Sequence, residues 1–252
     1  MPASRSFRCF LGRHLIPQRI VWVQVHDGWA KGLWLQIDLS NERGWWLGKH
    51  EPAIQEALQQ ALGPNKVMYD VGAHIGFHAL PAARLGAQVV AFEPDPESAA
   101  RLRAHVYRNG LEHSVRIIEA AVWSSAGASI PFRRGLPRSQ GGVCWKDRRP
   151  VLATGEIMEV AVIRLDDFVA GGGPTPHIIK IDVEGAESEV LKGAAGILRV
   201  QRPALIVEVH TANENAAVNK ILDDAGYSAC WNIPAEGFPR QCFAAPCGSR
   251  GS

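Results

Sequence analysis

The sequence predicts an α/β fold of the doubly wound type, with a mostly parallel β-sheet covered by helices. Between residues 67 and 122, short apolar strands alternate with helical segments, as in βαβ units. The same alternation returns at residues 177–225. The first strand ends in a glycine-containing turn at residues 70–76. Because open parallel sheets bind ligands beyond the carboxyl ends of their strands, we expect a ligand site at this turn.

An N-terminal extension precedes this pattern. Residues 20–38 alternate apolar and polar side chains on both sides of a glycine-containing turn, which predicts a β-hairpin. Residues 51–62 carry apolar side chains at helical spacing, with Pro52 early and Gly63 just past the end, which predicts an amphipathic helix. We therefore divide the chain into an extension, 1–64, packed on a ligand-binding domain, 65–252.

The core elements follow in order. A helix is expected to begin at Asp95, a good N-cap residue followed by Pro96, and to end near residue 109. Antiparallel strands are expected to flank an irregular loop within residues 124–165. The other predicted strands are 67–72, 88–94, 115–122, 177–182, 204–210, 227–232 and 240–245. Further helices are predicted up to Gly86 and near 185–198 and 212–225.

Composition excludes several classes of function. The formal net charge of +2 is too small to indicate a protein that binds nucleic-acid backbones. No apolar run approaches the roughly 20 residues of a membrane span. The basic residues 1–20 lack the apolar stretch of a signal peptide, so we expect a cytoplasmic protein. The five cysteines are scattered and odd in number, which indicates neither a disulfide framework nor a zinc site.

The turn at residues 70–76 favours a nucleoside ligand that lacks a pyrophosphate. A dinucleotide fingerprint needs a second glycine two positions after the first, but His74 stands there after Gly72. Asp70 suits instead a ligand with a sulfonium and an ammonium group, such as S-adenosylmethionine. Glu93 ends the second strand roughly 20 residues later, where an acid hydrogen-bonds a ribose. The alternative is a strand-to-helix turn that binds no ligand.

Several longer motifs occur between residues 48 and 210. They are GKHEP (48–52), YDVGAHIGFHAL (69–80), VVAFEPDP (89–96), AAVWSSAG (120–127), RLDDF (164–168), IIKIDVEGAESEVLKGA (178–194) and RPALIVEVH (202–210). In these motifs and their order the chain resembles the FkbM-type family of methyltransferases. The resemblance implies a class I, Rossmann-like methyltransferase fold with a seven-stranded sheet and S-adenosylmethionine as the cofactor.

The resemblance also implies a set of cofactor-binding residues. The first-strand turn would line the methionine and ribose portions, Glu93 would hold the ribose hydroxyls, and residues 94–95 and 119–122 would border the adenine. The expected set is Asp70, Gly72, Ala73, His74, Gly76, Glu93, Pro94, Asp95, Glu119, Ala120, Ala121 and Asp182. His74 departs from the small amide that is common at this position in the family.

Candidate catalytic residues lie at the ends of the fourth and fifth α/β strands. Lys180 and Asp182 share one face of their strand, as do Glu208 and His210, because side chains alternate along a strand. An oxygen acceptor needs a base, and His210 is either that base or a hydrogen-bonding group at a helix entry. Glu184 either contributes to the site or only caps the following helix, because a helix N-terminus favours an acidic side chain. Asp182 and Glu208 alone are too few ligands for a magnesium site, so no metal is expected.

The acceptor-binding predictions rest on aromatic and charged side chains. Trp45 and Trp46 are candidates for a pocket wall with Glu51 and Glu184, and the alternative for the tryptophans is packing of the extension. Residues 133–150 contain six Arg or Lys and one Asp. This basic segment is either a lid that attracts an acidic acceptor or a solvated surface loop.

The leading hypothesis is an O-methyltransferase that acts on a hydroxyl of a small molecule, natural product or saccharide. One alternative is an N- or carboxyl-methyltransferase with the same cofactor. Another is a non-catalytic nucleoside-binding module, although both acids expected at the cofactor, Asp70 and Glu93, are present. Base methylation of nucleic acids is not expected, because the Asn/Asp-Pro-Pro-Tyr segment of amino methylases is absent.

Overall fold

The computed structural model describes residues 20–135, 142–143, 155–232 and 237–247. The extension contains β1 (Ile20–Gln24), β2 (Trp34–Asp38), α1 (Arg43–Trp46) and α2 (Pro52–Ala61). It is followed by β3 (Val67–Val71), α3 (Ala79–Arg84), β4 (Gln88–Phe92), α4 (Pro96–Arg108) and β5 (Val115–Ile118). The middle contains β6 (Ala121–Val122), β7 (Gly127–Arg133), β8 (Gly142–Val143), β9 (Ile157–Ile163) and α5 (Leu165–Ala170). The last part contains β10 (Ile178–Ile181), α6 (Glu187–Gly193), α7 (Ala195–Val200), β11 (Ala204–Val209), α8 (Ala212–Asp224), β12 (Tyr227–Asn232) and β13 (Arg240–Pro246).

The central sheet has seven strands in the order β12-β13-β11-β10-β3-β4-β5. The strands from β11 to β5 are parallel, and β13 is antiparallel to both of its neighbours. The prediction of a doubly wound, mostly parallel, seven-stranded sheet is therefore confirmed. The chain proceeds from β3 outward through β4 and β5, and later from β10 outward through β11. The crevice between β3 and β10 is thus the topological switch point, where such sheets bind ligands.

Helices cover both faces of the sheet because alternate strand residues point in opposite directions. Met68 of β3 belongs to an apolar cluster with side chains of the extension, α3 and α4. The next residue, Tyr69, belongs to a second cluster with side chains of α6, α7 and α8. Of the described residues, none lies in a helix long and apolar enough to cross a membrane.

Polar contacts also attach the extension to the core. Arg101 of α4 donates to the carboxylate oxygens of Glu42 at 2.9 and 2.6 Å, and both side chains are buried. In addition, the backbone N–H of Gln36 donates to His105 Nε2 at 2.7 Å. The predicted hairpin is confirmed by the antiparallel pairing of β1 with β2. A division into separate domains at residue 64 stays a prediction.

Two predictions of continuous elements are wrong. The predicted strand at 115–122 breaks after Ile118, and residues 121–122 pair with β9 in a second, four-stranded sheet. The predicted helix at 185–198 consists of two helices, α6 and α7, that meet at Ala194. At this second break the backbone of Gly193 packs closely against Trp123, since a Cβ on Gly193 would lie 2.1 Å from the Trp123 carbonyl oxygen. The predicted start of α4 is confirmed, since Asp95 accepts from the Glu97 N–H.

Candidate active site

A cavity of about 450 Å³ lies at the carboxyl ends of β3, β4, β10 and β11. Its volume is within the range of about 300–1,000 Å³ that is usual for small-molecule sites. The strand ends contribute residues 71–74, 92–95, 180, 182–184, 208 and 210 to its lining. The extension adds Trp45, His50 and Glu51. The cavity therefore occupies the place that the sheet topology predicts.

Glycines in the turn after β3 allow close approaches of the backbone. Gly72 has φ +79°, and a Cβ there would lie 1.8 Å from the Asp182 carbonyl oxygen. Gly76 has φ +85°, and a Cβ there would lie 2.3 Å from a methyl carbon of Leu102. Gly72 thus brings the turn against the end of β10 and lines the cavity, whereas Gly76 allows α4 to pack against the turn.

Glu93 connects the turns that follow β3 and β4. Its Oε2 accepts from the His74 N–H at 2.7 Å, and its Oε1 accepts from the Asp95 N–H at 2.8 Å. Burial raises the pKa of Glu93 to about 8. Each oxygen accepts one of these bonds, and in either protonation state the carboxyl group keeps further hydrogen-bonding positions for the hydroxyl groups of a ligand.

Asp70 and Lys180 form a buried charged pair beside the cavity. Lys180 Nζ lies 3.7 Å from Asp70 Oδ1 and 3.3 Å from Asp182 Oδ2. Burial lowers the pKa of Lys180, but the two carboxylates raise it by more, so the pKa lies well above its usual value. Asp70 Oδ1 is buried and has no hydrogen-bond partner among the described residues. Lys180 lines the cavity, whereas Asp70 lies behind the lining and faces Lys180.

His210 is surrounded by carboxylates. Its Nδ1 lies 2.7 Å from Glu187 Oε1. Its Nε2 lies 3.6 Å from Asp182, 3.5 Å from Glu184 and 3.8 Å from Glu208. Burial lowers the pKa of His210, but these acids raise it to about 10 overall. A protonated imidazole has no lone pair to accept a proton, so the arrangement favours a hydrogen-bonding role over the base role.

Two acids in the cavity titrate near neutral pH. Burial and neighbouring carboxylates raise the pKa of Glu184 and that of Glu208 to about 7 each. Gln241 of β13 donates to Glu208 Oε2 at 3.1 Å and leaves Oε1 for other contacts. A group with a pKa near the working pH is suited to accept a proton during a reaction.

Most of the predicted site residues line this one cavity. They are Trp45, Glu51, Gly72, Ala73, His74, Glu93, Pro94, Asp95, Ala120, Ala121, Lys180, Asp182, Glu184, Glu208 and His210. Asp70 and Gly76 lie behind the lining, in the contacts given above. Glu119 lies outside it, because its half-exposed carboxylate pairs with Arg103. Trp46 is also outside, since it follows Trp45 in α1 and projects toward solvent with 36% exposure.

The cavity also contains residues that sequence reasoning missed. The additional lining side chains include Glu42, His50, Phe77, His78, Ser98, Phe132 and Phe238. Two lie within motifs already identified, since His50 is part of GKHEP (48–52) and His78 is part of YDVGAHIGFHAL (69–80). Of the basic segment, only residues 133–135 and 142–143 are among those described. Arg134 in this part pairs with Asp95 at 3.0 Å.

Comparison with known families agrees with this geometry. A family model described as the methyltransferase FkbM domain matches residues 70–229, from the end of β3 into β12. The chain belongs to the FkbM methyltransferase family. Members of this family are S-adenosylmethionine-dependent methyltransferases, and this FkbM methyltransferase uses the same cofactor.

Two curated relatives and one solved structure illustrate the similarity. The hexuronic acid methyltransferase AglP of Haloferax volcanii is 35% identical over 71% of this chain and 70% of its own length. The 31-O-demethyl-FK506 methyltransferase FkbM of Streptomyces tacrolimicus is 34% identical over 59% of this chain and 67% of its own length. A methyltransferase FkbM from Methylobacillus flagellatus shares the fold, with a TM-score of 0.52 and 16% identity. That alignment covers 94% of this chain and 59% of the longer solved chain.

The residues present in this FkbM methyltransferase fit S-adenosylmethionine. Glu93 lines the cavity and retains free acceptor positions. Directly behind the lining, Asp70 Oδ1 is a buried acceptor without a hydrogen-bond partner among the described residues. Glu51, Asp182, Glu184 and Glu208 supply negative charge around the cavity, which suits a ligand with a sulfonium and an ammonium group.

Proposed function

We propose that this FkbM methyltransferase methylates a hydroxyl oxygen of a saccharide or another small polyhydroxylated molecule. The observation that carries the proposal is the group of acids around the protonated His210. Two acids of this group, Glu208 and Glu184, lie at the wall of the cavity, and each has a pKa of about 7. Hydroxyl methylation needs such an acceptor for the proton that leaves the oxygen.

The chain's own residues would bind and orient the two reactants. S-adenosylmethionine, when bound, supplies an electrophilic methyl group. Glu93 and the turn at residues 72–74 would hold its nucleoside portion. Glu208 would accept the hydroxyl proton through Oε1, since Gln241 already donates to Oε2. The positive charge of His210, which Glu187 stabilises, allows several acids to lie close together in one small volume. These acids can then position the two reactants, and positioning contributes most to an in-line displacement.

The described part of the cavity suits a neutral acceptor. Trp45, Phe132 and Phe238 provide aromatic surface on which a sugar ring can stack. Glu51, Glu184 and Glu208 would repel a carboxylate that approached the same space. One relative is named for a hexuronic acid, so uronic acids belong in the test beside neutral sugars.

We further propose that the enzyme acts in the cytoplasm.

Calorimetric titration with S-adenosylhomocysteine tests the cofactor site first. We expect binding to the wild type and a loss of at least tenfold in affinity in Glu93→Ala, with Glu97→Ala as the matched control. Glu97 lies nearby in α4 and does not line the cavity. A folded wild type that binds neither S-adenosylhomocysteine nor S-adenosylmethionine would contradict the proposal.

Mass spectrometry of reactions with hydroxylated metabolites, neutral sugars and uronic acids then tests the acceptor. We expect an increase of one methyl group on a hydroxyl oxygen. We also expect Glu208→Gln to lower kcat by about a hundredfold or more, which is the usual contribution of a positioned base. Methylation of nitrogen, or formation of a methyl ester only, would favour the N- or carboxyl-methyltransferase alternatives instead.

A further inference from the structure

A second group of polar side chains lies on the extension side of the cavity. His50 Nε2 lies 3.0 Å from Glu51 Oε1, and His78 Nε2 lies 2.8 Å from Glu51 Oε2. The donor atoms of the three residues all lie within 4.8 Å of one another. Their side chains are 37%, 12% and 5% exposed in the order His50, Glu51 and His78. The group is therefore largely enclosed and reaches solvent through His50.

The backbone holds Glu51 in an unusual conformation. Glu51 has φ 47° and ψ 60°, in the left-handed region that non-glycine residues seldom adopt. Its side chain makes no capping hydrogen bond to α2, although Glu51 occupies the N-cap position. Local helix capping therefore does not explain the conformation. The carboxylate instead has one imidazole on each of its two oxygens.

The contacts of the imidazole nitrogens distinguish this group from the acids around His210. Both nitrogens of His210 face carboxylates, so its imidazole is protonated and has no lone pair for a metal. At His78, only Nε2 faces a carboxylate, and Nδ1 has no hydrogen-bond partner among the described residues. His78 thus keeps one ring nitrogen that no described residue contacts, whereas His210 keeps none. Edge-on contacts with Trp45 and Phe77, at 5.5 and 5.6 Å between ring centroids, orient the His50 ring.

We propose that His50, Glu51 and His78 bind one divalent transition-metal ion such as Zn²⁺. Two imidazole nitrogens and one carboxylate oxygen form a ligand set that zinc accepts while keeping a fourth position open. Magnesium is disfavoured, because imidazole suits zinc and other transition metals. All three residues line the acceptor cavity, so the open position would face an oxygen of the bound acceptor. This last role rests on the proposed function, whereas metal binding itself does not.

Titration of Zn²⁺ into chelator-treated wild-type protein tests the site. We expect one ion per chain and at least tenfold weaker binding in His50→Ala and in Glu51→Gln. Two controls should keep the wild-type affinity: His26→Ala, an exposed histidine outside the cavity, and Asp182→Asn, in the acids around His210. Absence of binding, unchanged binding in both ligand variants, or loss of binding in Asp182→Asn would each overturn the proposal.

The absorption spectrum of the Co²⁺-substituted protein identifies the donor atoms. We expect a spectrum of nitrogen and oxygen ligands that Glu51→Gln abolishes. A thiolate charge-transfer band would overturn the proposal, because cysteine side chains would then hold the ion. Binding of S-adenosylhomocysteine, measured on the same samples, keeps the two hypotheses apart. If that binding persists without zinc binding, only the metal site is rejected.

Discussion

Nδ1 of His210 lies 2.7 Å from Oε1 of Glu187, whose side chain is fully buried. Glu187 also accepts from the Gly185 N–H at 2.9 Å through the same oxygen. This buried carboxylate therefore fixes the turn that precedes α6 and keeps His210 charged. Because three further acids face the other nitrogen of His210, loss of this one contact should change the electrostatics of the whole site.

Glu187→Gln should destabilise the protein in a pH-dependent way. Removing one partner of a buried charged pair costs about 3–5 kcal/mol. The pKa of His210 is about 10 in the folded protein and 6.5 in a model compound. The stability that its protonation contributes is therefore complete below about pH 6.5 and is lost as the pH rises through about 10. Urea unfolding at these two pH values should show a large loss of stability in the variant at the lower one and a smaller loss at the higher one.

An exposed acid provides the control for this experiment. Glu56 lies on the solvent side of α2 and accepts a hydrogen bond from Gln60 at 3.2 Å. Glu56→Gln should change the free energy of unfolding by less than about 0.5 kcal/mol at either pH. An equal loss of stability in Glu187→Gln at both pH values would contradict the charged state assigned to His210.

The affinity for S-adenosylmethionine relative to S-adenosylhomocysteine should rise between pH 6 and pH 8. Only the first ligand carries a sulfonium charge, so their affinity ratio isolates the effect of that charge. Glu184 and Glu208, with pKa values of about 7, become ionised over this interval and add negative charge to the cavity. We expect the ratio of affinities to increase roughly tenfold, equivalent to about 1.4 kcal/mol, in calorimetric titrations of both ligands.

Glu208→Gln identifies the source of the pH dependence. The variant removes one of the two titrating charges but keeps the side-chain size and a possible contact with Gln241. The ratio of affinities should then rise less steeply with pH than in the wild type. A ratio that stays constant from pH 6 to pH 8 in the wild type would show that these acids lie too far from the sulfonium to affect it.

The sequence predicted the sheet and the turn after β3 that lines the cavity, because local chemistry determines both. Gly72 and Glu93 occupy positions that strand ends and turn geometry make recognisable. Contacts between residues far apart in the sequence were harder to predict. Nothing local indicates that His50 and His78, 28 residues apart, meet on one carboxylate, or that Glu187 meets His210 from another element. The break after Ile118 also depends on pairing with β9, which a local apolar run does not reveal.

Gly72→Ala should be far more damaging than an alanine in the loop between α2 and β3. The new Cβ would lie 1.8 Å from the Asp182 carbonyl oxygen, and φ +79° is itself unfavourable for alanine. We expect a loss of at least about 2 kcal/mol of stability and of binding to S-adenosylhomocysteine. Gly63→Ala is the control, because nothing lies within 4 Å of a Cβ there. Thermal unfolding of both variants provides the measurement. An equal decrease in the unfolding midpoint of the two variants would contradict this interpretation.

The attachment of the extension to the core should depend on the pair formed by Arg101 and Glu42. Both side chains are only 6% exposed, so Glu42→Gln leaves the arginine charge buried with a weaker partner. We expect a cost of about 3 kcal/mol, whereas Asp224→Asn, in the exposed pair with Lys220, should cost less than about 1 kcal/mol. Limited proteolysis followed by mass spectrometry should show faster cleavage between residues 20 and 64 in Glu42→Gln. Equal cleavage in the two variants would show that the remaining contacts hold the extension without this pair. These contacts include the hydrogen bond from the Gln36 N–H to His105 and the packing of Ile37 and Ile54, which are completely buried in the same cluster as Met68.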